Sequence, residues 1–318
     1  MFATLMTTES AIRRLAVSGT LGICLAASLP LTATAAGNQS RTVVDETGRT
    51  VHLPARIERI VSLAPNLTEI LYALGLEERL VGVTNQCDYP PAARQKPIVG
   101  DVVNPNLEEI IELKPDLVLG TTAGNRRETA DALERLGIPV YGIDPHSIED
   151  VLTSIRNVAD LLGVAERGAE LDARLRARLS SLHQRLNAVP RPRVLFAIWL
   201  DPLITVGGDT FLNDLLRQAG ARSVTGELRL DWPRLSLEVA LELDPDYLVL
   251  PRTHSLRSRL TDLSGRRPWQ SLRAVERGQV IWLDDAVLRP GPRVVEVVEA
   301  LARELHPEAF PATEAARQ

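Results

Sequence analysis

The stretch AERGAELDARLRARLSSLHQRLN, residues 165–187, decides the fold. Its leucines recur every three or four residues, which places them on one face of a helix, with Arg and Glu on the other faces. They are Leu171, Leu175, Leu179, Leu182 and Leu186. At a rise of ~1.5 Å per residue this helix spans roughly 35 Å, about the width of a small domain. We interpret it as a rigid bar joining two α/β lobes; the alternative is an ordinary crossover helix inside one large sheet.

The composition is that of a soluble globular protein. The chain has 318 residues, of which 45% are hydrophobic and 24% charged, enough for two domains. Its net charge of −5 argues against nucleic acid as a partner. The cysteines are Cys24 and Cys87. If Cys24 is removed with a leader, Cys87 is left alone, no intramolecular disulfide can form, and we expect Cys87 to fill the core or a loop.

The first residues read as a secretory signal peptide, residues 1–36. Two arginines precede an apolar run over 15–31 that Ser, Gly and Pro interrupt. This run is short for a membrane span. The sequence Ala-Thr-Ala then predicts cleavage near Ala35 or Ala36 and a periplasmic location. A retained N-terminal anchor is the alternative.

Strands and amphipathic helices alternate on both sides of the central helix, which predicts a mostly parallel sheet flanked by helices in each lobe. A Thr-Gly pair between two alternating runs adds a short hairpin over 41–54. Asn66 should cap the first helix, and Asp209 or Thr210 the corresponding helix of the second half. The expected boundaries are an N-terminal α/β lobe over 37–146, connecting helices over 147–189, a C-terminal α/β lobe over 190–306 and a frayed tail over 307–318.

The two lobes carry a repeat. NLEEIIELKPDLVL, residues 106–119, aligns without a gap on SLEVALELDPDYLV, residues 236–249. Their separation far exceeds the ~20–50 residues of solenoid repeats, so the pattern indicates duplicated lobes. Parallel sheets place their functional loops at the carboxyl ends of their strands. Two such lobes on one bar would therefore enclose a cleft between those loops.

Aromatic residues are concentrated in the loops expected to border this cleft. Only 4% of the chain is aromatic, yet Tyr89, Trp199 and Trp232 all fall at strand ends. Aromatic rings stack on flat, largely apolar ligands, while charged side chains hydrogen-bond their polar edges. Trp199 could equally be a core residue at the end of its strand.

Motifs of catalysis and metal binding are missing from the sequence. It has no Gly-x-Ser-x-Gly elbow, no P-loop and no Gly-x-Gly-x-x-Gly fingerprint. None of the five histidines has zinc-ligand spacing. His183 and His306 should be solvated, and His254 could border the cleft but is expected at the surface. We therefore expect neither an enzyme nor a metal site.

Five motifs taken in order resemble those of the periplasmic substrate-binding proteins of ABC importers for iron complexes and cobalamin. They are CDYPP (87–91), NLEEIIELKPDLVL (106–119), GNRRETADALERLGIPV (124–140), DWPRLSLE (231–238) and DDAVLRPGPR (284–293). The likeness covers about 57–305 and is greatest to the cobalamin-binding proteins. It implies the class III fold with little hinge bending, and a monomer without a cofactor. It also implies capture of a corrinoid for a membrane permease dimer and its ATPase.

The resemblance also implies site residues. Tyr89 matches a Tyr that contacts the corrin, and Trp232 a Trp that packs on the ligand. Asp285 and Arg289 match an acidic and a basic ligand-contacting pair. Two further Trp of the best-known cobalamin binders fall at Val102 and Thr121 here, so this corrin face is less aromatic, and Trp199 could compensate from the other lobe.

Glu108 and Glu238 match two surface glutamates, one per lobe, that dock onto arginines of the permease. The repeat alignment places them at equivalent positions, as contact with a two-fold symmetric permease requires. Without the resemblance, both would be read as solvated glutamates in a first helical turn.

Other ligands and classes remain open. A ferric-siderophore binder would favour more arginine in the cleft, which Arg126, Arg127 and Arg289 could supply. A haem binder needs an axial Tyr or His, a role that Tyr89 could fill. From different classes, an exported enzyme acting in the cleft and a sensor domain are the alternatives.

Overall fold

The computed structural model describes residues 40–253 and 267–310. The first half contains β1 (Arg41–Val44), β2 (Thr50–Leu53), β3 (Ile60–Ser62), α1 (Pro65–Ala73), β4 (Leu80–Val83), α2 (Leu107–Glu112), β5 (Leu117–Thr121), α3 (Arg127–Arg135) and β6 (Val140–Ile143). Four strands form a parallel sheet in the order β4-β3-β5-β6. Strands β1 and β2 pair as a separate antiparallel hairpin, which confirms the hairpin prediction.

The second half follows two connecting helices, α4 (Ile148–Leu161) and α5 (Ala165–Leu186). It contains β7 (Arg193–Leu200), β8 (Leu203–Thr205), α6 (Phe211–Gln218), β9 (Arg222–Ser223), β10 (Arg234–Leu235), α7 (Leu237–Leu243), β11 (Tyr247–Pro251), α8 (Arg267–Gln270), α9 (Arg273–Glu276), β12 (Val280–Leu283) and α10 (Val294–Leu305). Its sheet has the order β10-β8-β7-β11-β12, with β9 beside β7. The pairings of β8 are antiparallel and the others parallel.

Helix α5 joins the two halves as the sequence predicts. The two sheets share no strand, so α5 is not a crossover within one sheet. Its leucine face is buried, and its charged faces form ion pairs with both neighbours. Arg176 donates to Glu149 of α4 at 2.7 Å, and Arg178 donates to Glu299 of α10 at 2.9 Å. Helix α5 is thus held in place by apolar packing and by ion pairs to α4 and α10.

One apolar core continues from the first half into the second. It includes Leu67 of α1, Ile155 of α4, Leu175 of α5, Leu215 of α6 and Val298 of α10. Because the connecting helices contribute to the same core as both lobes, bending the lobes apart would expose buried apolar surface. The lobe boundaries at 146 and 189 remain a prediction.

The sequence repeat has a structural counterpart. Asn106 caps α2 and Ser236 caps α7, each with its side-chain oxygen. Lys114 and Asp244, at equivalent positions after these helices, have φ values of 45° and 42°. Non-glycine residues adopt this left-handed conformation uncommonly. Two matching instances support the duplication of the helix–strand unit.

Two local predictions are wrong. Helix α1 begins at Pro65, with Ala64 at the cap position, because proline suits the first turn where no N–H donor is needed. Asn66 is therefore inside the helix and does not cap it. His306 is buried, not solvated, because the chain turns after α10 and places the ring against Gly220.

Thr210 caps α6, which settles the choice between Asp209 and Thr210.

Some predictions fall on residues that are not described. The signal peptide over 1–36, His254 and residues 311–318 of the tail are outside the described ranges. The prediction of a frayed tail is wrong at its start, because Pro307–Ala309 forms a short 3-10 turn and Phe310 then packs against the core. Within 40–253 and 267–310, no helix has the length and apolar character needed to cross a membrane.

Candidate functional site

A cavity of about 260 Å³, here called the cleft, is lined by loops from both lobes. From the first half these residues are Ala64, Pro65, Asn66, Gln86, Val102, Thr121, Ala123 and Gly124, and from the second half Thr253, Asp285, Leu288, Arg289 and Pro290. The loops follow β3, β4, β5, β11 and β12, so the cleft is at the carboxyl ends of parallel strands. The structure thus brings together four predicted site residues: Val102, Thr121, Asp285 and Arg289.

The two lobes touch closely beside the cleft. Asn66 donates from Nδ2 to the carbonyl oxygen of Pro290 at 3.3 Å. A Cβ placed on Gly291 would lie only 3.3 Å from the Asn66 Cα. A larger residue at position 291 would require α1 or this loop to shift by a few tenths of an ångström. Glycine at this position therefore keeps the lobes in contact.

Five charged side chains form a network across the lobes, which we call the cleft ion cluster. They are Glu69 and Asp88 from the first half and Asp285, Arg289 and Arg293 from the second half. Arg289 donates to Asp88 at 2.7 Å and to Asp285 at 3.0 Å, and its Nη1 lies 3.4 Å from Glu69. Arg293 donates to both oxygens of Glu69, at 2.8 and 3.0 Å. The cluster is a multipoint ionic contact between the lobes.

The ion cluster also positions the predicted aromatic residue Tyr89. The Arg293 guanidinium carbon lies 3.9 Å from the centre of the Tyr89 ring, within the range of a cation–π contact. The side chain of Glu69 is only 2% exposed and holds Arg293 at two points, which fixes the guanidinium under the ring. Tyr89 itself is 43% exposed. One face of the ring is supported by protein while much of the side chain is accessible to a ligand.

Three members of the cluster, Asp88, Arg289 and Arg293, have pKa values shifted in favour of their charged forms. Burial alone would raise the pKa of Asp88, but the hydrogen bond and positive charge of Arg289 outweigh it, so the pKa is lowered. Burial alone would lower the pKa of Arg289, but its hydrogen bond to Asp88 and the charges of Asp285, Asp88 and Glu69 raise it. Burial alone would also lower the pKa of Arg293, but the hydrogen bonding and negative charge of Glu69 outweigh it, so this pKa is raised. At neutral pH each arginine is therefore paired with a carboxylate.

Asn125 organises the wall of the cleft formed by the first half. Its Oδ1 accepts from the Thr121 N–H at 2.8 Å, and its Nδ2 donates to the carbonyl oxygens of Leu63 at 2.9 Å and Val102 at 2.8 Å. One amide thus ties the ends of β3 and β5 to the loop that carries Val102. Sequence reasoning assigned no role to Asn125, Glu69 or Arg293, although Asn125 and Arg293 fall within quoted motifs.

Neither of the two predicted tryptophans is among the residues that line the cleft. Trp199 is on β7, opposite Ile204 of β8, and its Nε1 donates to the carbonyl oxygen of Asp201 at 2.8 Å. Trp199 is half-buried, so its burial does not decide between a cleft residue and a core residue. Trp232 precedes β10 and is 54% exposed. Their roles toward a ligand therefore stay predictions.

Glu108 and Glu238 occupy the same place in the two repeats. Each is exposed in the first turn of its helix, α2 or α7. The hydrogen bonds to Glu238 from the Ser236 side chain and from its own backbone lower the pKa of its carboxylate. Both positions can present a negative charge to a partner.

The remaining candidate groups are Cys87 and clusters of possible metal ligands. Cys87 is buried, its sulfur lies 3.1 Å from the Thr84 hydroxyl, and burial raises the pKa of its thiol. This agrees with a filling role. Across the described residues, no group of three His, Cys, Asp or Glu side chains is arranged to hold a metal ion.

Residues 60–287 match the periplasmic binding protein family. The chain is 32% identical over 278 residues to the uncharacterized ABC transporter substrate-binding lipoprotein YvrC of Bacillus subtilis, covering 85% of this chain and 86% of that relative. It is 30% identical over 248 residues to the vitamin B12-binding protein of Vibrio vulnificus, covering 77% and 89% of the two chains.

Solved structures agree in fold. The periplasmic vitamin B12 binding protein BtuF of Vibrio cholerae superposes with a TM-score of 0.70 at 28% identity, over 80% of this chain and 99% of the other. A periplasmic heme binding protein from Pseudomonas aeruginosa superposes with a TM-score of 0.73 at 28% identity, over 81% and 95%. The same arrangement of lobes therefore occurs in proteins with different ligands.

Proposed function

Because this chain belongs to the periplasmic binding protein family, as a substrate-binding protein of an ABC importer with the class III fold, we propose that it captures cobalamin or a related corrinoid. The observation that carries the proposal is the cleft between the lobes, with an exposed, supported Tyr89 beside it. Relatives named as vitamin B12-binding proteins add support, since the likeness spans most of both chains.

The binding mode follows from the cleft. Its volume of about 260 Å³ is below the ~300–1,000 Å³ typical of small-molecule pockets, so a corrinoid would enter the cleft by one edge, with the rest of its ring between the lobes outside the cavity. Tyr89, and Trp232 from the other lobe, would cover its faces. Burying those faces between preformed lobes supplies affinity with little ordering cost. No bond is made or broken.

Asp285 is placed to orient the polar edge of the ligand. Only its Oδ2 is hydrogen-bonded to Arg289, and the side chain is partly exposed. Its other oxygen is available to accept from a peripheral amide N–H of a corrin. Arg289 is 12% exposed, and its ion pairs hold Asp285 in place. We assign Asp285 to direct contact and Arg289 to contact and orientation together.

Delivery requires a membrane partner. In the proposed cycle the chain is exported through its signal peptide, binds the corrinoid outside the cytoplasm as a monomer, and docks on a permease dimer served by an ATPase. Glu108 and Glu238 would each contact basic residues of one permease subunit. Their equivalent positions in a duplicated unit support this role.

Affinity for cyanocobalamin in Tyr89→Ala and Trp232→Ala variants tests the proposal. Each should weaken binding about 10- to 100-fold, the effect of losing one stacked aromatic group. Leu136→Ala is the control, because Leu136 is as exposed as Trp232 at 54% but lies at the end of α3. Unchanged affinity in both aromatic variants, with cooperative unfolding retained, would remove the cleft assignment.

Haem is the second candidate, because the phenol of Tyr89 is accessible and could serve as an axial ligand. Tyr89→Phe separates the two ligands, since it keeps the ring on Arg293 and removes only the hydroxyl. A corrinoid held by stacking should bind this variant as tightly as the parent. Loss of hemin affinity with a changed Soret absorbance in Tyr89→Phe would favour haem.

A further inference from the structure

A second cavity of about 230 Å³, here called the side cavity, lies within the first half of the chain. Its charged lining residues are Arg49, Arg126 and Arg127, and none of its lining residues is acidic. This is unexpected in a chain with 41 acidic and 36 basic residues. The side cavity therefore has a local positive charge that the composition does not explain.

Two of the three arginines are available to a ligand. Arg49 is ion-paired with Glu134 at 2.6 Å. Arg126 and Arg127 are exposed, and no carboxylate of residues 40–253 or 267–310 lies within ion-pair distance of either guanidinium. Unpaired guanidinium groups that line a concave surface are suited to two-point recognition of a carboxylate or phosphate.

The side cavity adjoins the proposed binding site, with one lining residue in common. Thr121 lines both the cleft and the side cavity and is only 5% exposed. Its hydroxyl accepts from the Ala123 N–H at 3.3 Å but donates to no group in the described part of the chain. The hydroxyl hydrogen is thus a buried donor at the boundary. Asn125, bonded to the backbone at both Thr121 and Val102, holds this boundary in place.

We propose that the side cavity is a subsite for an anionic oxygen group, a carboxylate or phosphate, carried by the ligand bound in the cleft. Arg126 and Arg127 bind the anion, and Thr121 donates a hydrogen bond where the group leaves the cleft. The inference rests on the proposed function, because the anionic group belongs to a corrinoid whose ring is bound at the cleft. It adds a specificity: corrinoids with ionised side chains are preferred over those whose side chains are all amides.

The test compares two corrinoids of the same ring. Dicyanocobyrinate carries peripheral carboxylates, and dicyanocobinamide carries amides in their place. Affinities are measured by calorimetry for the full chain, for R126Q/R127Q and for the control R135Q/R174Q. The control removes two exposed arginines outside the side cavity, so both variants have the same net charge.

The subsite predicts that R126Q/R127Q weakens dicyanocobyrinate binding about tenfold or more and leaves dicyanocobinamide unchanged, as expected for lost charge-assisted hydrogen bonds. The control variant should bind both corrinoids like the parent. Raising the salt concentration from about 50 to 500 mM should weaken only the carboxylate corrinoid, because screening acts on the ionic contact.

Three results would overturn the subsite. If both corrinoids bind and R126Q/R127Q affects neither, the subsite is wrong while the proposed function stands. If neither corrinoid binds, the proposed function fails and the subsite with it. If inorganic phosphate alone binds the parent but not R126Q/R127Q, and corrinoid affinities are unchanged, the cavity takes free anions and is not part of the corrinoid site.

Discussion

Replacing Glu69 by Gln should destabilise the chain and loosen the support of Tyr89. The side chain of Glu69 is 2% exposed and accepts two hydrogen bonds from Arg293, with Arg289 3.4 Å away. Glutamine has the same shape but no charge, and its NH₂ group would face an arginine donor. Within the described residues, Arg289 would keep its ion pairs with Asp88 and Asp285, whereas the remaining ion pair of Arg293 would be the long one to Asp284 at 3.9 Å.

The size of the effect follows from burial. Removing one partner of a fully buried ion pair costs about 3–5 kcal/mol. The side chains of Arg289 and Arg293 are 12% and 18% exposed, so water screens part of the loss. We expect Glu69→Gln to lower the free energy of unfolding by about 2–4 kcal/mol, and the midpoint temperature by about 5–10 °C.

Urea unfolding followed by circular dichroism measures this loss, and a cobalamin titration of the same variant measures the effect on Tyr89. Glu58→Gln is the control, since Glu58 forms an exposed pair with Arg56 and should show no measurable change. Arg293→Lys keeps the charge without the two-point geometry, so it should fall between the parent and Glu69→Gln. A Glu69→Gln midpoint equal to that of Glu58→Gln would refute the role of the ion cluster.

Three further predictions concern docking, acid stability and the central helix. Glu108→Ala combined with Glu238→Ala should leave cobalamin affinity unchanged and impair uptake by vesicles carrying the cognate permease and ATPase; normal uptake would contradict the docking role. Asp88 has a lowered pKa in the folded chain, so its contribution to stability is present above its unfolded pKa of 3.8 and lost as pH falls. Asp88→Asn should therefore lose less stability than the parent between about pH 6 and 3, as followed by urea midpoints, and equal losses would exclude this contribution. Leu175→Ala should cost about 2–4 kcal/mol of unfolding free energy because the side chain is buried in the shared core, and a cost near zero would contradict that packing.

Elements with strong periodicity were predictable from the sequence. Helix α5 has a leucine at every third or fourth position, and its observed bounds, Ala165–Leu186, agree with the pattern within one residue. The aligned segments around Glu108 and Glu238 form the same helix–strand unit. Strands β8, β9 and β10 were missed because none exceeds three residues, too short for alternation to appear.

The contacts of the cleft were less accessible to sequence reasoning. The family resemblance implied Val102, Thr121, Asp285 and Arg289 as site residues, and the structure brings them together where loops at strand ends converge. Glu69 could not be found in this way, because nothing in the sequence of α1 indicates that its carboxylate is buried. Its role appears only when the second lobe brings Arg293 to it across more than half of the chain.

Errors in the local predictions have the same origin. Asn66 is a favoured capping residue, and nothing in its neighbourhood indicates that its amide instead contacts Pro290. His306 follows a helix near the chain end, where solvation is usual, yet the packing of α10 near Gly220 buries it. Both outcomes depend on contacts between residues distant in sequence.

Calorimetric titration of the mature chain with cyanocobalamin tests the central claim most directly. We predict saturable one-to-one binding with a Kd below about 1 μM, as expected for a large ligand buried between preformed lobes. No saturable binding at about 100 μM ligand would contradict the corrinoid assignment, leaving the chain a substrate-binding protein of an ABC importer with another ligand.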